Sequence, residues 1–186
     1  MQALISNHYS SSGEQTRGIE MKKLSLVTFA ALGMFSMNAF AEGEKYNGAS
    51  LQYVQSSQNG VSDSTTGVSI LRSVRLNGHY GYEMQFGLFG NIGSYSTNGF
   101  ADLSAIGLLP LSESGFNLYG KAGLADVYSR GSSGSANNFG LTYGAGFEFK
   151  RDIGKVRVGF QHLTVGNGTS SPRHSTFLLG LTLFLQ

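Results

Sequence analysis

The chain has 186 residues, with 13 Lys+Arg against 11 Asp+Glu, 27 glycines, two prolines and no cysteine. The near-balance of charge excludes the basic excess that a nucleic-acid footprint needs. The absence of cysteine excludes a disulfide framework and a thiolate metal site.

In chain order, residues 1–20 come first and are polar, with Glu14 and Glu20. They precede a second methionine, Met21, and are expected to be an upstream extension outside the true reading frame start; Arg17-Gly18 can be encoded as a ribosome-binding sequence just before Met21. Residues 21–41 carry a basic start (Met21, Lys22, Lys23), an uncharged apolar stretch from Leu24 to Phe35, and the small-residue site Ala39-Phe40-Ala41. That order is a secretory signal peptide, with cleavage expected before Glu42. The apolar stretch is about 12 residues, short of the roughly 20 that a spanning helix needs.

Residues 42–186 are expected to form one domain. Three bases (Arg17, Lys22, Lys23) and two acids (Glu14, Glu20) precede it, leaving ten Lys+Arg and nine Asp+Glu. No apolar run of helix length follows Ala41. The pattern is alternation with a period of two, the weak per-segment signature of a transmembrane barrel.

The first strand is expected near Tyr46–Gln55, with Ala49, Leu51 and Tyr53 opposite Ser50 and Gln52. The second, near Gly67–Arg75, has no clear phase, because Val68 and Ile70 compete with Leu71. The third, Tyr80–Phe89, is the clearest: Tyr80, Tyr82, Met84, Phe86 and Leu88 share one face, and Gly81, Glu83, Gln85 and Gly87 the other. The fourth, near Phe100–Leu109, sets Ala101, Leu103 and Ala105 against Asp102 and Ser104. The fifth, Phe116–Tyr128, sets Phe116, Leu118, Ala122 and Leu124 against Tyr119, Lys121, Gly123 and Ala125. The sixth, Phe139–Lys150, sets Leu141, Tyr143, Ala145, Phe147 and Phe149 against Gly140, Thr142, Gly144, Gly146 and Glu148. The seventh, Lys155–Thr164, and the eighth, Thr176–Leu185, continue the pattern with Val156, Val158 and Phe160, then Phe177, Leu179, Leu181, Leu183 and Leu185.

Long connections (56–66, 90–99, 129–138 and 165–174) alternate with short ones (76–79, 110–115 and 151–154). Long outer loops and short periplasmic turns in alternation describe a bacterial barrel with both ends in the periplasm. The expected fold is therefore all-β: an eight-stranded antiparallel transmembrane up-and-down β-barrel. A soluble sandwich or lipocalin-like barrel is the alternative. It would turn its apolar face inward, whereas the polar face here is rich in Gly, Ser, Thr and Gln, which suits a narrow filled lumen.

Four charges fall in the lumen phase: Glu83, Lys121, Glu148 and Arg157. All lie a few residues from a short turn, hence at similar depth, and two acids with two bases can pair completely. Lys121 and Glu148, on neighbouring strands, are expected to meet directly, and Glu83 and Arg157 to meet across the lumen. Such a cluster is a structural plug or, alternatively, the gate of a narrow pore for small solutes. No metal-ligand spacing, phosphate loop or paired catalytic carboxylates appear, so no metal, cofactor or catalytic residue is expected. His162 and Thr164 stand two apart on the seventh strand, but no acid follows Asp152, which leaves a lipid A-modifying barrel enzyme the weakest alternative.

Leu109-Pro110-Leu111, the run Gly115-Phe116-Asn117-Leu118-Tyr119-Gly120-Lys121-Ala122-Gly123-Leu124, the run Leu141-Thr142-Tyr143-Gly144-Ala145-Gly146-Phe147-Glu148 and the closing Leu179-Gly180-Leu181-Thr182 stand in order along the chain. Together they resemble the outer membrane protein A type of β-barrel, whose wider family includes small OmpX- and Ail-like adhesins. The resemblance covers residues 42–186. It implies a Gram-negative outer-membrane location, a structural or surface-interaction role of the adhesion or colonisation type, and no enzymatic activity. It implies membrane lipid and lipopolysaccharide as surroundings, the barrel assembly machinery as a partner during insertion, and a host or surface ligand through loops 56–66, 90–99, 129–138 and 165–174. It also implies that the four lumen charges form an interior salt-bridge cluster. The 186 residues hold no peptidoglycan-binding segment after the barrel, so a cell-wall tether is not implied. Leu185 stands in the phase where the family has a terminal aromatic, and Gln186 follows it.

Overall fold

The computed structural model describes residues 43–185 apart from 59–60, 93–94, 132–133, 152–153 and 166–173. The expected extension and signal peptide, residues 1–41, lie outside the described residues. Eight strands follow in sequence: β1 (Glu44–Gln58), β2 (Val61–Arg75), β3 (Tyr80–Phe89), β4 (Tyr95–Pro110), β5 (Phe116–Gly131), β6 (Gly134–Arg151), β7 (Gly154–Val165) and β8 (His174–Leu185). Each pairs antiparallel with the next, and β1 pairs with β8 from Asn47↔Leu185 to Gln58↔His174, so the sheet closes. A closed sheet has no unpaired edge within the ring, which is the condition for strands to cross a bilayer.

The polarity of the barrel is inverted relative to a water-soluble one. Outward positions are apolar and exposed: Leu51 at 66%, Ile70 at 64% and Leu141 at 61%. Inward positions are buried and many are polar, among them Ser50, Gln52, Ser69, Glu83, Gln85, Lys121, Thr142, Glu148, Arg157 and Thr182. A continuous apolar belt of this kind does not persist in water; it calls for a lipid environment. Aromatics mark both ends of the belt. Phe116 stacks on Phe147 at 5.4 Å and meets Phe149 edge-on at 6.4 Å near the short turns. Tyr53 and Phe139 stand exposed toward the opposite end.

The structure fixes the phase of β2. Val68 and Ile70 face outward, and Leu71 faces inward, where it packs with Tyr46 and Phe184. The short turns are built as their residues dictate. In the β2–β3 turn, Asn77 Oδ1 accepts hydrogen bonds from the backbone N–H groups of His79 (2.8 Å) and Tyr80 (3.0 Å). In the β4–β5 turn, Gly115 adopts φ 82°, a left-handed conformation open to glycine, and its carbonyl accepts from Lys150 N at 2.9 Å.

The expected long loops 56–66 and 129–138 are largely strand. β1 continues to Gln58 and β2 begins at Val61; β5 continues to Gly131 and β6 begins at Gly134. Ser and Thr tolerate strands well, and the two positions between β1 and β2 are Asn59-Gly60, a pair that favours a two-residue hairpin. Expected loop 90–99 is shortened by the start of β4 at Tyr95, and most of loop 165–174 lies outside the described residues.

Candidate functional site in the lumen

Alternation on six strands sends charged and amide side chains to one level of the lumen. Arg157 of β7 is the hub. Its Nη1 lies 2.5 Å from Glu83 Oε2 on β3, and its Nη2 lies 2.8 Å from Glu148 Oε2 on β6. Arg75, at the end of β2, donates to the same Glu148 oxygen at 2.9 Å, and Lys155 Nζ stands 3.5 Å from Glu148 Oε1. Lys121 of β5 donates to Glu83 Oε1 at 3.1 Å and to Gln85 Oε1 at 2.9 Å, and it stands 3.8 Å from Asp102 Oδ1 on β4. Asp102 accepts from Gln161 at 2.8 Å and from Ser104 at 2.9 Å; Gln161 also donates to Thr142 at 2.9 Å. Aromatic faces complete the shell: the Arg157 guanidinium lies 4.5 Å from the ring centroids of both Tyr119 and Phe184, and Lys155 Nζ lies 3.5 Å over Tyr46.

The four lumen charges singled out from sequence thus fall in one network, with two differences. Lys121 pairs with Glu83, not with Glu148. In the register Lys121 faces Gly144, and Glu148 faces Asn117, four residues away along the strands. The network is also larger, taking in Arg75, Asp102 and Lys155. Arg75 and Lys155 sit at strand ends, where a charge reads as a solvated turn residue, and long side chains carry them back into the lumen. Asp102 was visible on the polar face of the fourth strand, opposite Leu103, and its pairing required the register to be known.

Burying so many charges is costly unless each is paired and hydrogen-bonded. Here each of the three carboxylates accepts from at least two groups. Beside the network, Gln52, Glu83, Tyr119, Lys121, Arg157 and Gln161 help to line a cavity of about 30 Å³, on the order of a single water.

Beyond the charges, toward the long hairpins, the lumen becomes apolar. Val54, Phe89, Ile92, Phe100, Ala125, Val127, Leu163 and Leu178 form one buried cluster. Sequence reasoning missed this layer. Phe177-Leu178-Leu179 is a continuous apolar run, and Phe89 and Phe100 sit at a strand end and beside a glycine; an uninterrupted run carries no phase.

On the outer wall, His162 stacks on Tyr143 with centroids 5.1 Å apart, and its Nε2 is 3.1 Å from Ser175 Oγ. The partner is thus Ser175 rather than Thr164. Among the described residues no carboxylate bonds the ring, so the third member that orients a catalytic base is not in place. Also among the described residues, no group of three or more His, Asp or Glu side chains is arranged to hold a metal ion.

A closed eight-stranded antiparallel barrel, apolar outside and charged inside, defines the class of outer-membrane barrels. The chain belongs to the outer membrane protein beta-barrel domain family, whose profile matches residues 27–183. Among solved structures it is similar to Neisserial surface protein A (NspA), at 14% identity and TM-score 0.64, covering 76% of this chain and 96% of that one. It is also similar to Ail, the attachment invasion locus protein of Yersinia pestis, at 17% identity and TM-score 0.52, covering 77% and 99%. A third is the outer membrane protein OprG of Pseudomonas aeruginosa, at 10% identity and TM-score 0.52, covering 78% and 98%. No match was found among curated protein sequences. At these identities the likeness is one of fold, and it spans nearly the whole of each of the three proteins.

Proposed function

We propose that the chain is a non-enzymatic integral protein of the Gram-negative outer membrane, exported by the signal peptide at residues 21–41, with a structural or surface-interaction role. The observation that carries this reading is the occupied lumen: a paired charge network crosses it, and the cavity lined by Glu83, Lys121 and Arg157 holds about 30 Å³. Among the described residues, the polar outer ends of the β1–β2 and β5–β6 hairpins are open to contact with other molecules. Residues Ser62, Asp63 and Ser64 are exposed there, as are Arg130 and Ser135. Surface loops on a rigid scaffold are where binding residues concentrate. Ail has been crystallised with a heparin analogue; the hairpins here lack the basic cluster such a polyanion favours, so an uncharged or weakly charged surface ligand fits them better.

Whole cells expressing the protein, and variants with 56–66 or 129–138 replaced by a short turn, would be compared for attachment to host cells and matrix. Loss of attachment in a hairpin variant that still inserts supports the reading. Equal attachment by both variants and by cells lacking the protein sinks the adhesive role. Steady conductance of the reconstituted wild-type protein in a planar bilayer would instead favour the charge-gated pore, and altered lipid A mass in expressing cells would favour an enzyme.

A further inference from the structure

Gly90–Ile92, the described part of the connection between β3 and β4, runs against the apolar layer of the lumen. Ile92 belongs to this connection, and its side chain is buried in the apolar layer with Val54, Phe89, Phe100, Val127, Leu163 and Leu178. The segment leading to it is pinned from two sides. Gly90 N donates to Thr66 O of β2 at 3.1 Å, and Gly90 O accepts from Asn98 Nδ2 of β4 at 2.9 Å. Asn98 itself is buried. Gly90 also approaches β2 closely: a Cβ there would stand 2.5 Å from Thr65 Oγ1. These contacts lie on the hairpin side of the charge network. On β5 the order toward the hairpin is Lys121, Ala125, Val127; on β7 it is Arg157, Gln161, Leu163.

We propose that Gly90–Ile92 is an extracellular lid, latched by Ile92 on the apolar layer, and that it closes the lumen independently of the charge network. The barrel then has two closures in series. The outer one is apolar and held by the hydrogen bonds of Gly90 N–H and C=O; the inner one is ionic. Breaking salt bridges alone leaves the outer mouth shut, and unlatching Ile92 alone exposes the strand-borne part of the apolar layer, Leu178 included, above the charges. The inference goes beyond the proposed role and does not depend on what the hairpins bind.

The chain has no cysteine, so Leu178→Cys, in the apolar layer, is a unique reporter. A membrane-impermeant methanethiosulfonate reagent is added outside intact cells expressing the full-length protein, and the modification rate is read by mass. The reporter alone is expected to react slowly. Adding Ile92→Gly should raise the rate at least tenfold, whereas adding Glu83→Gln with Arg157→Gln should leave it unchanged. An unchanged rate on Ile92→Gly overturns the lid, and so does rapid labelling caused by the network variant alone. Heat-dependent gel migration checks that each variant folds. If Ile92→Gly fails to fold, Asn98→Ala, which releases the Gly90 carbonyl, is read in its place with the same two outcomes.

Discussion

At the residue scale, the lumen depends on what a buried charge requires. Arg157 touches two carboxylates and two aromatic faces. Removing it takes one donor each from Glu83, which keeps Lys121, and from Glu148, which keeps Arg75 and Lys155. Breaking a buried pair from one side costs on the order of 3–5 kcal/mol, so Arg157→Ala should destabilise the reconstituted barrel by up to about that much, reduced by the partners that remain and where water enters. Glu83→Ala should act similarly, because it takes a carboxylate from both Arg157 and Lys121, leaving Lys121 only Gln85 and the more distant Asp102. In the double variant the two losses should fall short of their sum; simple additivity in urea unfolding would mean that the two side chains do not interact. The phase of the outer wall is tested at Leu118. Arginine there should cost up to roughly 2–4 kcal/mol near the bilayer midplane and less toward the interface. The same change at buried, inward Thr142 is governed instead by space and by its bond from Gln161. Leu118→Arg leaving the urea midpoint untouched would contradict its lipid-facing assignment. Much of this was legible in the sequence, because Glu83, Lys121, Glu148 and Arg157 each interrupt an apolar alternation. The pairing was not, since alternation gives the face of a side chain and not its register partner. Lys121 therefore reaches Glu83, two strands away, and passes over Glu148 on the adjoining strand.

At the element scale, the strands follow their sequences closely in the membrane and depart from them outside it. β3 spans Tyr80–Phe89, the range its alternation predicts, and β5 and β7 begin within a residue of expectation. The hairpin ends of β1, β2, β5 and β6 run several residues longer than expected. Polar Ser, Thr and Asn stretches were read as loops because their apolar alternation stops; outside the bilayer a ladder needs no apolar face, only paired backbone. Glycine sets two close contacts. A Cβ on Gly159 would collide with Tyr119 Oη and would approach Ala145 O. Gly159→Ala should therefore push Tyr119 off Arg157 and cost about 1–3 kcal/mol, the range for overpacking a filled interior. At Gly115, φ 82° places alanine in a left-handed conformation with its Cβ 3.1 Å from Lys150 O. Gly115→Ala should lower stability by about 1–3 kcal/mol. Both changes are measured by denaturant midpoints in detergent or lipid, and wild-type midpoints would show that the strain is relieved elsewhere.

At the scale of the whole molecule, one sheet closes on itself and separates two environments. Closure gives every strand a neighbour on both sides within the ring, so the wall can face lipid. The inside then has to be filled, and the chain fills it in layers: Tyr46, Leu71 and Phe184 at the turn side, the charges in the middle, and the apolar cluster with Ile92 toward the hairpins. The eight-strand count and the inverted polarity were readable from periodicity. The apolar inner layer was not, because Leu178 lies in the run Phe177-Leu178-Leu179, which carries no phase, and Leu163 is a single apolar residue between His162 and Thr164. The central claim, a membrane-inserted barrel with this inside and this outside, is tested most directly by spin labels on single cysteines along β6, from Phe139 to Lys150, in the reconstituted full chain. The structure predicts oxygen accessibility that rises and falls with every residue, high at 139, 141, 143, 145, 147 and 149 and low at the positions between. A flat profile, or one with the opposite phase, would contradict it.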